Sequence, residues 1–199
     1  MQYKKGSEVR KADYPIDKIF LNRWSPRAMS GEELTDTELF TLFEAARWAP
    51  SNNNEQPWRF IYAKRDTKHF DKFFKILGEF NQLWTKNASV LICLVAKRTF
   101  TAKEPPVLNR NNMSDSGSAW ENLALQASVM GLVAHGMAGF NVEKARKDLK
   151  VPDDFDIVHM IAIGKHGPLS SIPERMQKSE VPNSRRPVAE SIFEGEFKQ

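Results

Sequence analysis

A single cysteine, Cys93, leaves this chain of 199 residues without an internal disulfide framework. The cysteine lies inside the run ASVLICLVA (88–96), where a lone thiol packs as a small hydrophobe. That run is the longest apolar stretch. It is too short to cross a bilayer and suits a buried strand, so no membrane segment is expected. The four histidines (His69, His135, His159 and His166) show no H-x-x-x-H spacing and have no cysteine companions, which argues against a metal site. There is no G-x-S-x-G elbow for a hydrolase nucleophile. GMAG (136–139) is too short for a dinucleotide fingerprint, which needs G-x-G-x-x-G between a strand and a helix. The opening MQYKKGSEVRKADYP is basic but has no apolar core, so it does not read as a signal peptide, and the expected location is cytoplasmic.

What is present is an ordinary globular balance. Hydrophobic residues make up 41% and charged residues 27%, enough apolar material for one domain with a real core. The net charge of +4 admits a nucleic-acid partner, but the basic residues are dispersed among acids and no recognition motif for RNA or DNA is present. A solvated surface explains them better, as do a few arginines committed to a small anion. No nucleic-acid partner is expected.

Residues 1–13 read as a loose charged arm, and 14–199 as a single domain. YPIDKIFLNRW (14–24) places Ile16, Ile19, Phe20 and Arg23 at helical spacing. Thr35 and Glu38 form a capping-box pattern ahead of a helix whose apolar face is Leu39, Leu42, Phe43 and Ala46. A strand is expected at 58–64, a Thr67-capped helix through Phe70 and Leu77, and a strand at 88–96. A long helix over about 116–130 is apolar nearly all round, with Leu125 and Val129 opposite the Trp120, Leu123 and Ala127 face, so it predicts burial against a second subunit as well as its own core. A strand at 132–137, an Asn141-capped helix over 142–149 and a strand at 157–164 follow. In the tail, PVAESIF (187–193) alternates enough for an edge strand. This order predicts an α+β or α/β three-layer domain with a central mixed sheet flanked by helices.

Three polar segments carry the candidate chemistry. NRWSPR (22–27) sets two guanidiniums around a hydroxyl, a pattern that fits phosphate oxygens. PSNNNEQPW (50–58) crowds amides between two prolines. It reads as a turn, or as donors and acceptors matched to a polar heterocycle such as a nucleobase or flavin. NSRRP (183–187) adds two arginines in an irregular tail. If the tail returns to the first segment, the two arginine sites would clamp a phosphate monoester.

In order and spacing, the chain resembles the nitroreductase family of FMN-dependent oxidoreductases over roughly residues 14–190. The pieces are RWSPRA, AARWAPSNNNEQPWRFI, AWENLALQASVMGLVAHGMAGF, IAIGKHG with the Pro that follows, and SRRPVAE. The resemblance implies a homodimer of α+β subunits with a long central helix at the interface, FMN bound there, and a C-terminal arm (166–199) wrapping the partner. It implies that Arg23, with Trp24 and Ser25, meets the FMN phosphate, and that Arg27 reaches the ribityl chain and the N1/O2 side of the ring. Pro50, Ser51, Asn52 and Asn54 would approach the flavin from the other subunit. Asn81 would face the pyrimidine edge, although Trp84 stands where some members carry a lysine. Met137, Ala138 and Gly139 would lie along the ring, and Arg185 would be a second phosphate ligand. The implied activity is two-electron transfer from NAD(P)H to a small electron-poor acceptor (a nitroaromatic, quinone or similar) by a ping-pong route, with no catalytic side chain required. A same-fold flavoenzyme of different redox chemistry, such as dehydrogenation or flavin breakdown, and a basic nucleic-acid-binding module remain the alternatives.

Overall fold

The computed structural model describes residues 5–197. Helices α1 (Lys18–Asn22) and α2 (Asp36–Arg47) precede strand β1 (Trp58–Lys64). Then come α3 (Phe70–Phe74), α4 (Glu79–Thr85), β2 (Val90–Lys97) and the long α5 (Asn112–Val129). Strand β3 (Leu132–Met137), α6 (Val142–Leu149), β4 (Phe155–Lys165) and the short α7 (Glu174–Gln177) complete the order.

The four strands form one sheet in the order β1-β2-β4-β3, and every neighbouring pair is antiparallel. This corrects the expectation of a mixed sheet. Strands β2 and β3 do run the same way, as a strand–helix–strand unit joined by α5 implies. Strand β4 inserts between them and runs against both, so no parallel neighbours remain.

Alternation along each strand builds two cores. On one face Leu91, Cys93 and Val95 of β2, Met160 and Ala162 of β4, and Val133 and Met137 of β3 pack against α3, α4 and α6. On the other, Val90, Ile92 and Leu94 join Ile161 and Ile163 beneath α2 and α5. Helices therefore cover both faces, which is the expected α+β three-layer arrangement. Full burial of each aliphatic side chain contributes about 1.5–3 kcal/mol, so the doubly covered β2 is the anchor of the domain.

Local signals explain the helix ends. Thr35 and Glu38 make the reciprocal capping box of α2. Asn141 accepts from the Lys144 N–H and caps α6. Helix α1 is only 5 residues long rather than spanning 14–24, because Asp17 caps it from within that stretch and Ser25, ahead of Pro26, is disfavoured as helix. Thr67 does not cap α3. Its hydroxyl donates to the Lys64 carbonyl, and the helix begins at Phe70. Helix α5 starts earlier than expected and buries Ala119, Leu123, Ala124 and Ala127, while Val129 is 64% exposed.

Both termini also differ from expectation. Residues 5–13 are not a loose arm: Gly6–Glu8 form one turn of 3-10 helix, Gly6 is buried, and the Ser7 N–H donates to Asn22 Oδ1. Residues 1–4 lie outside the described part. PVAESIF is not a strand. It makes a single 3-10 turn at Val188–Glu190, and Ile192 and Phe193 are 59% and 40% exposed, with no strand of the same chain beside them. Among the described residues no helix is long and apolar enough to cross a membrane.

Two glycines test this packing with opposite signs. A Cβ on Gly167 would lie 2.4 Å from the Met29 backbone, whereas one on Gly117 in α5 meets nothing within 4 Å. Gly167→Ala should destabilise by roughly 1–3 kcal/mol or more. Gly117→Ala should stabilise by up to about 0.5–1 kcal/mol, the ordinary helix preference of alanine over glycine. Urea unfolding of the two variants checks both signs.

Candidate functional site

The segment after α1 is held as an outlying strand. Met29 bridges His166, the Gly167 N–H donates to the Ala28 carbonyl, and the Ser30 N–H donates to the Lys165 carbonyl. From the tail, Glu180 Oε1 accepts the N–H groups of Arg27 (2.5 Å) and Ala28 (2.8 Å), with its side chain only 1% exposed. From β3, His135 Nδ1 donates to the Pro26 carbonyl at 2.9 Å. These fastenings set Arg23, Trp24, Ser25 and Arg27 along a cleft of about 530 Å³.

Four guanidiniums line that cleft: Arg10, Arg23, Arg27 and Arg185. Trp24, Ser25 and His135 also line it. The tail therefore returns to the first polar segment, which is the condition on which the two arginine sites could share one anion. Arg23 Nε lies 3.3 Å from Glu121, and Arg23 Nη1 lies 3.4 Å from the Ser25 hydroxyl. Arg27 Nη1 is 3.9 Å from Glu180, too long for a hydrogen bond, and Arg27 Nε is buried with no partner. Arg185 donates to Asn183 Oδ1 and to the Ser184 carbonyl, each at 3.0 Å. Only Glu121 and Glu180 oppose these four cations as ion-pair partners among the described residues. Burial, then Arg185 and Arg23, lower the proton affinity of Arg10. The site carries surplus positive charge and an unpaired buried donor, the electrostatics of an anion site. A second cavity of about 390 Å³ shares Trp24 and is walled by Ala124, Ser128, Val129, Leu132 and Ala134.

The amide loop is elsewhere. Pro50, Ser51, Asn52 and Asn54 do not line the arginine cleft of their own chain. The loop is a turn whose backbone is fixed by two side chains. Asp115, in the first turn of α5, accepts the Asn52 N–H at 3.0 Å, and Ser51 Oγ accepts the Gln56 N–H at 3.0 Å. Asn53, Asn54 and Gln56 all take left-handed φ values, near +50° to +55°. Asn52, Asn53 and Asn54 are exposed, so their amides face outward.

Asn81 is occupied by the fold. Its Nδ2 donates to the Gly139 carbonyl at 2.9 Å, and its Oδ1 accepts from Trp84 Nε1 at 3.3 Å. Trp84 is fully buried, its ring 4.6 Å from His135, and so stands in the core rather than in a site. A Cβ on Gly139 would lie 2.9 Å from Asn81 Nδ2, so a larger residue there would push that amide aside. Met137 is buried in the core, whereas Ala138 and Gly139 are exposed, so this stretch offers backbone rather than side chains to a ligand. Sequence reasoning missed Arg10, Glu180, His135 and Asp115. Arg10 read as part of a solvated charge run, and the others act on backbone groups that no motif marks.

A family model described as the nitroreductase family matches residues 21–82 and 64–165. The chain belongs to the nitroreductase family. Protein DrgA of a Synechocystis strain is 31% identical over 177 residues, covering 75% of this chain and 83% of its own. A protein of Archaeoglobus fulgidus, provisionally named NADH dehydrogenase/NAD(P)H nitroreductase, is 26% identical over 74% of this chain and 83% of its own. Among solved structures, one described as the oxidoreductase containing FMN superposes with a TM-score of 0.93 at 39% identity, covering 100% of this chain and 99% of that one. A nitroreductase family protein from Clostridium difficile 630 shares the fold at a TM-score of 0.68 and 21% identity, over 88% and 95% of the two chains.

Three imidazoles of this nitroreductase-family chain give its stability a pH dependence. Burial pulls His135, His159 and His166 from the ordinary 6.5 down to about 4; for His135 the nearby Arg27 and Arg23 add to this, against the bond to Pro26. Each is neutral when folded, and the unfolded chain takes up protons first as pH falls. Stability is therefore fully present above 6.5 and is lost progressively from 6.5 towards 4. The Tm should drop between pH 7 and pH 5. The drop should shrink in His159→Leu, which removes a titrating ring whose Nε2 is buried and unpaired. An unchanged pH slope in that variant would show that His159 is protonated while folded.

Proposed function

We propose that the chain is an FMN-dependent oxidoreductase that passes two electrons from NAD(P)H to a small electron-poor acceptor, such as a nitroaromatic or quinone. The observation that carries this reading is the arginine cleft. Four guanidiniums with two carboxylate partners and an unpaired Arg27 Nε fit a dianionic phosphate monoester. The similarity at 39% identity to a structure described as containing FMN supports the choice of phosphate ester. The name of the Archaeoglobus relative supports NAD(P)H as donor.

Bound FMN supplies two-electron redox chemistry that no side chain here offers. Arg23 and Arg185 would hold its phosphate with the Ser25 hydroxyl, and Arg27 would carry positive charge toward the ring. Trp24, which stands between the two cavities, walls the site. The exposed backbone of Ala138 and Gly139 would offer an N–H to the ring edge. The arrangement calls for no general acid or base, because binding and orientation are the tasks left to the protein.

The working unit in this reading is a homodimer. Outward amides that avoid their own arginine cleft are explained if they serve the partner's flavin. The exposed Val129 and Met113 of α5 and the apolar tail residues Ile192 and Phe193 need a covering surface, which a second subunit wrapped by residues 166–199 would supply.

Purified protein should be yellow with close to one FMN per chain. Arg23→Ala should weaken FMN binding by about ten- to a hundredfold, the loss of a charge-assisted phosphate contact, and more than Arg27→Ala does. Fluorescence titration of apoprotein measures both. Equal affinity in wild type and Arg23→Ala would remove that arginine from the phosphate site.

Nicotinamide donor and acceptor should compete for one exposed site, since the chain has no dinucleotide fingerprint to hold the donor apart. Initial rates at varied NAD(P)H and acceptor should give parallel double-reciprocal lines. Intersecting lines would mean that both bind at once.

A further inference from the structure

The strongest unassigned feature is the path of Arg10 across the rim of the arginine cleft. One Arg10 Nη1 donates to two carbonyls on the first wall, Leu21 and Arg23, each at 2.7 Å. Its Nε donates to the Asn183 carbonyl on the tail at 2.7 Å, and Nη2 lies 3.4 Å from Asn183 Oδ1. That same Oδ1 accepts from Arg185 Nη1 at 3.0 Å. A second tie runs beside it, from the Val188 N–H to Asp13 Oδ2 at 2.8 Å. The entry of the arm is fixed too, because a Cβ on Gly6 would lie 1.9 Å from the Leu21 carbonyl oxygen. Among the described residues, the tail beyond Glu180 has no helix or strand of its own to hold it, apart from the turn at Val188–Glu190.

We infer that the N-terminal arm is a clasp, with Arg10 as a positioning residue that bridges residues 21–23 to Asn183 and so holds Arg185 over the cleft. The inference rests on the reading of the cleft as the FMN phosphate site and extends it to a segment outside the family-model match. A guanidinium suits this role because its rigid fork reaches carbonyls on two walls at once, which a point-charge ammonium does not. Arg10 has most of its N–H groups turned to carbonyls, so it acts on the ligand through Arg185. Without the clasp Arg185 samples many positions, and its phosphate contact is diluted by the conformational freedom it must lose on binding.

Four variants and one ligand-free measurement test this. Arg10→Ala should weaken FMN binding about tenfold or more. Arg10→Lys should bind FMN as poorly as Arg10→Ala, since it keeps the charge but not the fork. In the Arg10→Ala background, adding Arg185→Ala should change affinity much less than it does in wild type. Hydrogen exchange on the ligand-free protein should show faster exchange of the 183–188 backbone in Arg10→Ala. Full recovery by lysine, or additive losses in the double variant, would mean that Arg10 contributes charge alone and would overturn the clasp. Unchanged exchange at 183–188 would overturn it too. Should wild type take up no FMN, the proposed cofactor is wrong, and the exchange comparison still decides whether the clasp exists.

Discussion

The site depends first on one buried carboxylate. Glu180 accepts two consecutive backbone N–H groups, those of Arg27 and Ala28, and the Arg27 guanidinium stands near its other oxygen. Burying a carboxylate is unfavourable unless hydrogen bonds replace its water. Here two donors do so at Oε1, where the charged acceptor strengthens each bond, while the buried Oε2 has no hydrogen bond and only the Arg27 guanidinium 3.9 Å away. The consequence is geometric. The tail and the segment after α1 become one unit before any ligand arrives. Losing Glu180 would orphan both N–H groups, at about 1–3 kcal/mol each, and free the tail that carries Arg185. The pairing also leaves Arg27 incompletely satisfied, so holding the backbone and leaving a donor for a ligand come from the same residue pair.

Elements whose cause is local were legible in the sequence. The reciprocal bonds of Thr35 and Glu38, the Asn141 cap and the unbroken apolar β2 each form from neighbours a few residues apart, and each appears as read. Errors arose where a distant element decides. The mixed sheet failed because β4 enters between β2 and β3, a choice of position that no local pattern encodes. PVAESIF failed because alternation makes a strand only beside another edge, and its own chain provides none there. The N-terminal arm was misread for the same reason. Its charges look solvated until the carbonyls of Leu21, Arg23 and Asn183 are placed around Arg10.

The site divides along the same line. Guanidiniums spaced around a hydroxyl marked residues 22–27 as a candidate anion site, but the return of the tail that brings Arg185 to Arg23 and Arg27 was only a condition of that reading and an implication of the resemblance. Asn81 was placed by resemblance alone, and the structure shows both ends of its amide engaged by Gly139 and Trp84. Its effect on any ligand would pass through the Gly139 backbone it fixes. Glu180, His135 and Asp115 share a trait that hides them from motif reading. Each presents its side chain to a backbone group, and a backbone group has no residue identity to recognise.

Asp115 shows why such residues matter to the amide loop. Left-handed φ at a residue other than glycine is unfavourable, on the order of 1–3 kcal/mol where the surroundings must hold it, although asparagine tolerates it best. Three such residues fall within four positions here, Asn53, Asn54 and Gln56. A free loop would relax. This one is restrained by Asp115 at the Asn52 N–H, by Ser51 at the Gln56 N–H, and by Glu55, which accepts from both the N–H and the hydroxyl of Thr101. None of the three uses the side-chain amides of Asn52 to Asn54, and those residues stay exposed to solvent. A turn needed only to join α2 to β1 has no use for that expense of conformation. A turn that presents donors and acceptors in fixed directions does, because a ligand that meets them need not order them first. The preorganisation is useful only if the ligand comes from outside this chain's own cleft, which is the geometric argument for a second subunit in the proposed site.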